Sequence, residues 1–209
     1  MQRGLSRRFQ SVKKESMRIP SLEECYRLLE EEGVPPHIVR HGERVALVGA
    51  FLARNLREVG EPLSLPLVVA GGLLHDLTKH HSLKTGENHA ESARRKLLEW
   101  GYPEVAEVVG SHIFLRPGPP GTPIRAEEVV YYADKRVRHE EIVSLEERFR
   151  DLRERYGRRP SSWVRLWRLE ELTKLLERRL FKKLPFPPEK LLALNQVEDI
   201  RACLTAWLS

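Results

Sequence analysis

Apolar residues recur at helical spacing along most of the chain. Between Pro35 and Gly60 they fall on one face of a single predicted helix, at Ile38, Val45, Val48, Phe51, Leu52 and Leu56. The pair Pro35-Pro36 suits the start of that helix, because proline is tolerated in a first helical turn. Residues 65–75 are apolar on nearly every side, which is typical of a helix buried in the centre of a domain.

Start and stop residues predict the remaining elements. Ser21-Leu-Glu-Glu24 has the form of a capping box and predicts a first helix that runs to about Glu32 and ends at Gly33. Further helices are predicted over 88–100, 103–113, 126–138 and 144–156, from Pro160 to about Phe181, and from Pro188 to Leu208. Residues 77–87 and the sequence PGPPGTP at 117–123 are predicted to be loops, the latter favoured as a surface connector over an active-site lid. Because clear strand alternation is absent, we expect an all-α fold.

The length of 209 residues fits one domain with a small extension. We expect a disordered basic segment at 1–17, a main domain at 18–157, and a helical extension at 158–209 that packs on the core or on a partner subunit. Two cysteines without metal or redox spacing favour a reducing cytosol. No apolar run approaches the roughly 20 residues that span a bilayer. We therefore expect a cytoplasmic protein with no membrane contact.

The net charge of +6 attracts polyanions such as nucleotides. The basic residues are spread along the chain, which is more typical of a solvated surface, so dedicated nucleic-acid binding is disfavoured. Trp163, Trp167 and the leucines around them form a stripe at helical spacing. Such a stripe usually packs on its own domain or on a second copy of the chain, and a homodimer remains open.

Candidate chemistry lies where apolar helices end in polar residues. The sequence GGLLHDLTKHH carries an apolar helix into His75-Asp76, and burying such groups without partners would cost several kcal/mol. A lone histidine on an apolar helix face is usually a hydrogen-bonded core residue. Here the histidines and acids recur on successive helices, at His41, His75, Asp76, His89, His112 and Asp134. Together such side chains can hold one or two divalent metals.

The ordered pattern H…HD…H…H…D, with the HD pair closing an "LLHD" helix and the last Asp in "YYAD", resembles the HD-domain superfamily of metal-dependent phosphohydrolases over about residues 20–157. The resemblance implies a helical bundle with the metals between helices. It implies that the ligands common to the superfamily are His41, His75, Asp76 and Asp134. His89 and His112 match the additional histidines of dinuclear members, with Asp76 as the bridging carboxylate. The metal identity stays open among Fe, Mn, Mg, Co, Ni and Zn.

Basic residues beside this pattern have two interpretations each. Lys79, in HDLTK, is either a surface lysine or a catalytic ammonium that neutralises a phosphoryl oxygen. Lys135 and Arg136 are equally well interpreted as phosphate clamps or as salt-bridge partners. His80 and His81 are favoured as a solvated pair over a proton shuttle.

The resemblance implies hydrolysis of a nucleotide or another small phosphoester by a metal-activated water, with Asp76 and Lys79 as catalytic residues. The sequence YYADKRVRHEEIVSLEERFRDLRERYG is similar to a bacterial subgroup of small HD proteins. Two alternatives stay open. One is an HD-type mixed-valent di-iron oxygenase with the same ligand set, and the other is a nucleotide-sensing module that is not an enzyme.

Overall fold

The computed structural model of the protein describes residues 18–119 and 121–209. Within them the chain forms ten α-helices, one 3₁₀ helix and one two-stranded antiparallel sheet, which confirms the all-α prediction. The expectation of disorder at 1–17 lies outside the described residues. The helices are α1 Leu22–Glu31, α2 Pro36–Glu58, α3 Leu65–Leu74, α4 Lys79–Thr85, α5 His89–Glu99, α6 Pro103–Gly110, α7 Ala126–Lys135, α8 Leu145–Tyr156, α9 Pro160–Phe181 and α10 Ile200–Leu208, with strands β1 Val137–Arg138 and β2 Glu141–Ile142 and the 3₁₀ helix Pro188–Gln196.

The centre of the fold is α3, which is buried continuously from Val68 to its end. Helices α1, α2, α6, α7 and α10 pack around it. An apolar helix enclosed on all sides needs no polar face, as the sequence pattern predicts. This enclosure carries the end of α3, with His75 and Asp76, into the interior of the bundle.

Helices α2 and α3 approach each other so closely that glycine is required between them. A Cβ atom added to Gly72 would lie 2.7 Å from the Ala46 Cα atom and 2.8 Å from the Ala46 nitrogen. From the other side, a Cβ atom on Gly42 would lie 2.8 Å from the Leu73 carbonyl oxygen. Because these neighbours are backbone atoms, neither helix can accommodate a side chain without moving apart.

The predicted helix boundaries are largely confirmed. The capping box of α1 is present, since Ser21 Oγ accepts from the Glu24 amide at 3.2 Å and Glu24 accepts from the Ser21 amide at 2.9 Å. Gly33 follows α1 with a φ of +63°, the left-handed conformation that favours glycine after a helix. Pro36 opens α2 as its first residue. The described residues of 117–123 lie outside the helices, as predicted.

The loop prediction for 77–87 is wrong in part, because Lys79–Thr85 forms the short helix α4. Within α4 only Ser82 is buried. The helix therefore has no apolar face that periodicity could detect. The hydroxyl and backbone amide of Ser82 both donate to the Thr78 carbonyl, at 3.2 Å and 3.0 Å, and secure the turn to the buried end of α3.

The predicted helix 126–138 ends early, at Lys135, and a short hairpin follows it. His139 turns the hairpin with a φ of +55°. The side chain of Asn195 then bonds to both backbone groups of Ile142, at 2.9 Å and 2.8 Å, and so takes the place of a further strand. Two strands of two residues each are too short to show alternation in sequence.

The predicted helix from Pro188 to Leu208 is two elements. The 3₁₀ helix ends at Gln196, and the Asp199 side chain accepts from the Ala202 amide at 2.8 Å to begin α10. Both elements contact α2, and α10 also contacts α3. The division of the chain at residue 157 stays a prediction. No helix in 18–119 or 121–209 has the length and apolar character needed to cross a membrane.

The close approach of α2 and α3 predicts a stability defect. Replacing Gly72 by Ala pushes a methyl group into the backbone of α2, and we expect a loss of about 1–3 kcal/mol in the free energy of unfolding, as for other overpacked cores. Urea denaturation measures it. Gly110→Ala is the control, because the three atoms nearest to its Cβ atom would all belong to the flexible Arg94 side chain, the closest at 2.7 Å. This substitution should change stability by less than about 1 kcal/mol. Equal stability of the two variants would contradict the packing account.

Candidate metal centre

Five parts of the bundle deliver polar side chains to one buried place. His41 lies in α2, His75 is the C-cap of α3, and Asp76 follows it. His89 is the first residue of α5, His112 lies just beyond α6, and Asp134 is in the last turn of α7. The structure therefore brings together all the ligand candidates found in sequence, as two groups of three: His41, His75 and Asp134, and Asp76, His89 and His112.

The first group lies between α2, α3 and α7. Asp134 Oδ1 is 3.2 Å from His41 Nε2 and 3.7 Å from His75 Nε2. One donor atom from each residue lies within 4.8 Å of the other two. All three side chains are buried.

The second group lies beside the first, on the α5 and α6 side. Asp76 Oδ1 is 3.3 Å from His89 Nε2 and 3.7 Å from His112 Nε2. The other oxygen of the same carboxylate, Oδ2, is 3.4 Å from His75 Nε2. Asp76 thus faces one group with each oxygen, which is the placement that a carboxylate bridging two ions requires.

Backbone carbonyls orient three of the imidazoles. The Nδ1 atoms of His41, His75 and His112 lie 2.6, 2.8 and 2.6 Å from the carbonyl oxygens of His139, Gly72 and Val109. A carbonyl only accepts, so Nδ1 carries the proton in each ring. In the neutral form Nε2 is then a bare lone pair that points into the cluster, as in histidines that bind metals.

The Nε2 atoms of the cluster lie close to one another and to the carboxylates. The Nε2 atoms of His89 and His112 lie 3.1 Å apart, and that of His41 faces the Asp134 carboxylate. His75 Nε2 is buried and has no hydrogen-bond partner among the described residues. A buried acceptor without a donor is costly, and a cation between the acceptors removes the cost. Imidazole nitrogens with carboxylate oxygens are a donor set suited to divalent transition metals, so the residues present fit such ions.

Both carboxylates stay ionised inside the protein. Burial disfavours the charge of Asp76, but His75 and Lys79 outweigh it and hold the pKa of this carboxyl well below its usual range. Burial also opposes the charge of Asp134, and Lys135 is the main group that keeps its pKa well below the usual range. Two negative charges are therefore available to a cation at neutral pH.

The same electrostatic environment shifts the pKa values of His112 and His75 in opposite directions. Burial and the nearby His75 lower the pKa of His112 to about 3, so His112 is neutral at pH 7, the form in which an imidazole binds metal. For His75, burial acts against the charged form, but Asp76 outweighs it and raises the pKa. The cluster thus attracts positive charge to this ring, and a bound metal would displace the proton.

Two lysines donate hydrogen bonds to the carboxylates. Lys79 Nζ donates to Asp76 Oδ2 at 2.6 Å, and its side chain is 39% exposed, so it stands where the cluster meets solvent. Lys135 is buried and donates to Asp134 Oδ2 at 2.5 Å and to the His112 carbonyl at 3.2 Å. The negative charge of each carboxylate is therefore compensated by a lysine as well as by the nearby imidazoles.

Arg136, a candidate phosphate clamp in sequence, points away from the cluster. It is almost fully buried and donates to the Val143 carbonyl and to the Tyr132 hydroxyl, both at 2.7 Å, and lies 3.4 Å from Glu177. Of its two interpretations, these contacts support the salt-bridge partner. The ring centroids of His80 and His81 lie 3.8 Å apart with the ring planes tilted by 44°, and both residues lie in α4, outside the two groups.

Sequence reasoning missed the contribution of His139. Its side chain belongs to neither group, but its carbonyl fixes the orientation of His41. The positive φ of +55° aims that carbonyl. Any residue type has a backbone carbonyl, so its role as an acceptor cannot be predicted from the sequence. The only signal there is the polar sequence RHEE, which indicates that the helix ends after α7.

The comparison with protein families identifies the same region. A family described as HD domain matches residues 38–161, a span that contains all six side chains of the two groups. No curated protein and no solved structure matches the chain significantly.

The two groups predict the metal content of the protein. Protein purified without chelator should contain roughly two divalent ions per chain, since each group supplies ligands for one. We expect Asp134→Asn to remove mainly one ion and His112→Asn mainly the other, because each substitution removes a donor from one group. Elemental analysis by mass spectrometry measures the stoichiometry. His37→Asn, on the exposed side of α2, is the control that should retain both ions, and unchanged content in either site variant would contradict the assignment.

Proposed function

The chain belongs to the HD domain family, and we propose that it is a metal-dependent phosphohydrolase acting on a nucleotide or another small phosphoester. The observation that carries the proposal is the convergence of the two groups on Asp76, whose oxygens face both. A pair of cations at such a carboxylate suits the clamping of a phosphoryl group. The proposed ligands are His41, His75 and Asp134 on one side and His89 and His112 on the other, with Asp76 shared.

The resident metals would supply Lewis acidity and a water of lowered pKa. The chain's own residues would hold the ligand atoms in place and position the substrate. The carbonyls behind His41, His75 and His112 keep the donor atoms fixed, so no reorganisation is needed when a substrate arrives. Asp76 would hold the cluster together.

Lys79 would be the residue that meets the substrate. Its ammonium is anchored on Asp76 Oδ2 and remains partly exposed. Burial acts against its charge, but Asp76 outweighs this and raises its pKa, so the lysine is charged at neutral pH. A fixed positive charge at the edge of the cluster would offset charge that develops on a phosphoryl oxygen.

Lys135 is better suited to positioning than to substrate contact. Its ammonium is buried and is used by Asp134 and the His112 carbonyl, one residue from each group. It would therefore keep the two groups at a constant separation. Direct binding of a phosphate by Lys135 or Arg136 has no support in these contacts.

Two other functions use the same cluster and give different products. A di-iron oxygenase would consume its substrate only in the presence of oxygen and release no phosphate. A nucleotide-sensing module would bind a nucleotide tightly, gain thermal stability from it, and leave it intact. The complete ligand set argues against the sensing module. The charged Lys79 beside the cluster favours the hydrolase.

Removing the shared carboxylate should abolish hydrolysis. With manganese added, wild-type protein should release phosphate from generic phosphoesters, and Asp76→Ala should reduce turnover to background because it removes the ligand shared by both groups. Colorimetric phosphate assay measures the rate. Glu189→Ala removes an exposed carboxylate remote in sequence and should be fully active. Turnover that survives Asp76→Ala would refute the mechanism.

Removing the ammonium should slow the reaction while the metals stay bound. We expect Lys79→Ala to lower kcat by about 10²–10³-fold, the range for losing one preorganised stabilising group. Lys84→Ala, an exposed lysine of the same helix α4, should keep wild-type kcat. Metal analysis accompanies the kinetics. A Lys79→Ala variant with normal metal content and normal kcat would show that this lysine only covers the surface.

A further inference from the structure

A groove lies beside the metal centre, and none of the six residues of the cluster lines it. It has a volume of about 350 Å³ and lies between the segment Ile113–Leu115, Tyr131 of α7 and one side of α9. Apolar side chains dominate its walls, with Phe114 on one side and Leu169 and Leu172 on the other. The volume lies in the range of small-molecule sites.

The groove shares a wall with the metal centre. The segment that forms one side of it directly follows His112. Tyr131 lines the groove and lies 4.6 Å, from ring centroid to Nζ, from Lys135, which bonds to Asp134 and to the His112 carbonyl. These two connections make the groove and the metal centre neighbours in the fold.

Two arginines of α9, Arg165 and Arg168, also line the groove. Both are exposed, and the nearby carboxylate of Glu170 is already paired with Arg153 and Lys174. Neither groove arginine has a carboxylate partner among the residues that the structure describes. A guanidinium pair at an otherwise apolar groove suits a ligand that combines an apolar ring with an anionic group.

An exposed aromatic side chain supplies a surface for such a ring. Phe114 is 62% exposed although it stands at the groove. Planar heterocycles stack on aromatic side chains, and alanine substitution at such positions typically weakens binding severalfold. The combination of Phe114, an apolar wall and two unpaired guanidinium groups is chemically complementary to a base joined to phosphate.

We propose that this groove is the specificity subsite for the organic part of the substrate, with Phe114 against a planar ring and Arg165 and Arg168 on an anionic group. The inference rests on the proposed function and narrows its substrate to nucleotides with more than one phosphate, such as nucleoside diphosphates. Helix α9 thereby serves the site although it supplies no member of the metal cluster.

Binding without turnover tests the groove separately from hydrolysis. Calorimetric titration of the metal-loaded protein, with the methylene-bridged, non-hydrolysable analogues of ADP and of pyrophosphate as the ADP and pyrophosphate probes, reports affinity without turnover. We expect Phe114→Ala to weaken ADP binding about fivefold or more and to leave pyrophosphate binding unchanged. Arg168→Ala should weaken both probes by about fivefold or more, because it removes a charge-assisted hydrogen bond.

Two exposed residues of α9 outside the groove provide matched controls. Leu175→Ala and Arg178→Ala should bind both probes within about twofold of wild type, since neither lines the groove. Failure of wild type to bind ADP, or equal weakening in groove and control variants, would overturn the proposal. Light scattering gives a third outcome that would overturn the proposal. If wild type is a dimer and Phe114→Ala dissociates it without changing ADP affinity, the groove is a subunit interface.

The same variants separate this inference from the proposed function. Groove-dependent ADP binding in a metal-loaded protein that releases no phosphate would refute the hydrolase and leave the subsite in place. Phosphate release from ADP with unchanged KM in Phe114→Ala and Arg168→Ala would keep the hydrolase and refute the subsite.

Discussion

The central constraint on the structure is a buried cluster of acceptor atoms whose lone pairs point toward one another. Imidazole nitrogens and carboxylate oxygens from five parts of the bundle face one another, and carbonyls behind three rings place the protons on the far side. Without a positive charge between them these acceptors would repel each other at a cost of several kcal/mol. The cluster is therefore suited to cations, and the helices hold its acceptors in place.

The packing of α3 places two members of this cluster. A helix apolar on every side can be enclosed by its neighbours, and its end then delivers His75 and Asp76 to the interior. Gly72 lets α2 come close enough for His41 to meet the Asp134 carboxylate. Lys79 and Lys135 pair with the two carboxylates, and the Lys79 side chain remains partly exposed.

Sequence predicted the parts of this arrangement that depend on residue type and period. The apolar helix before His75, the capping box at Ser21 and the order of ligand candidates are all local patterns, and all are found in the structure. Sequence periodicity misses helix α4 because that helix has no apolar face, and it misses the hairpin after α7 because each strand has only two residues. The role of the His139 carbonyl and the burial of Arg136 arise from tertiary contacts between distant segments, which no spacing rule contains.

The most direct test of the account is the state of the histidine ring nitrogens. Nitrogen NMR of ¹⁵N-histidine protein, titrated with zinc, distinguishes protonated, bare and metal-bound nitrogens. The account predicts that Nε2 of His41, His75, His89 and His112 moves to the metal-bound position as roughly two equivalents are added. In His41, His75 and His112, Nδ1 should stay protonated throughout. Nε2 signals that remain protonated or unmoved at saturating zinc would contradict it.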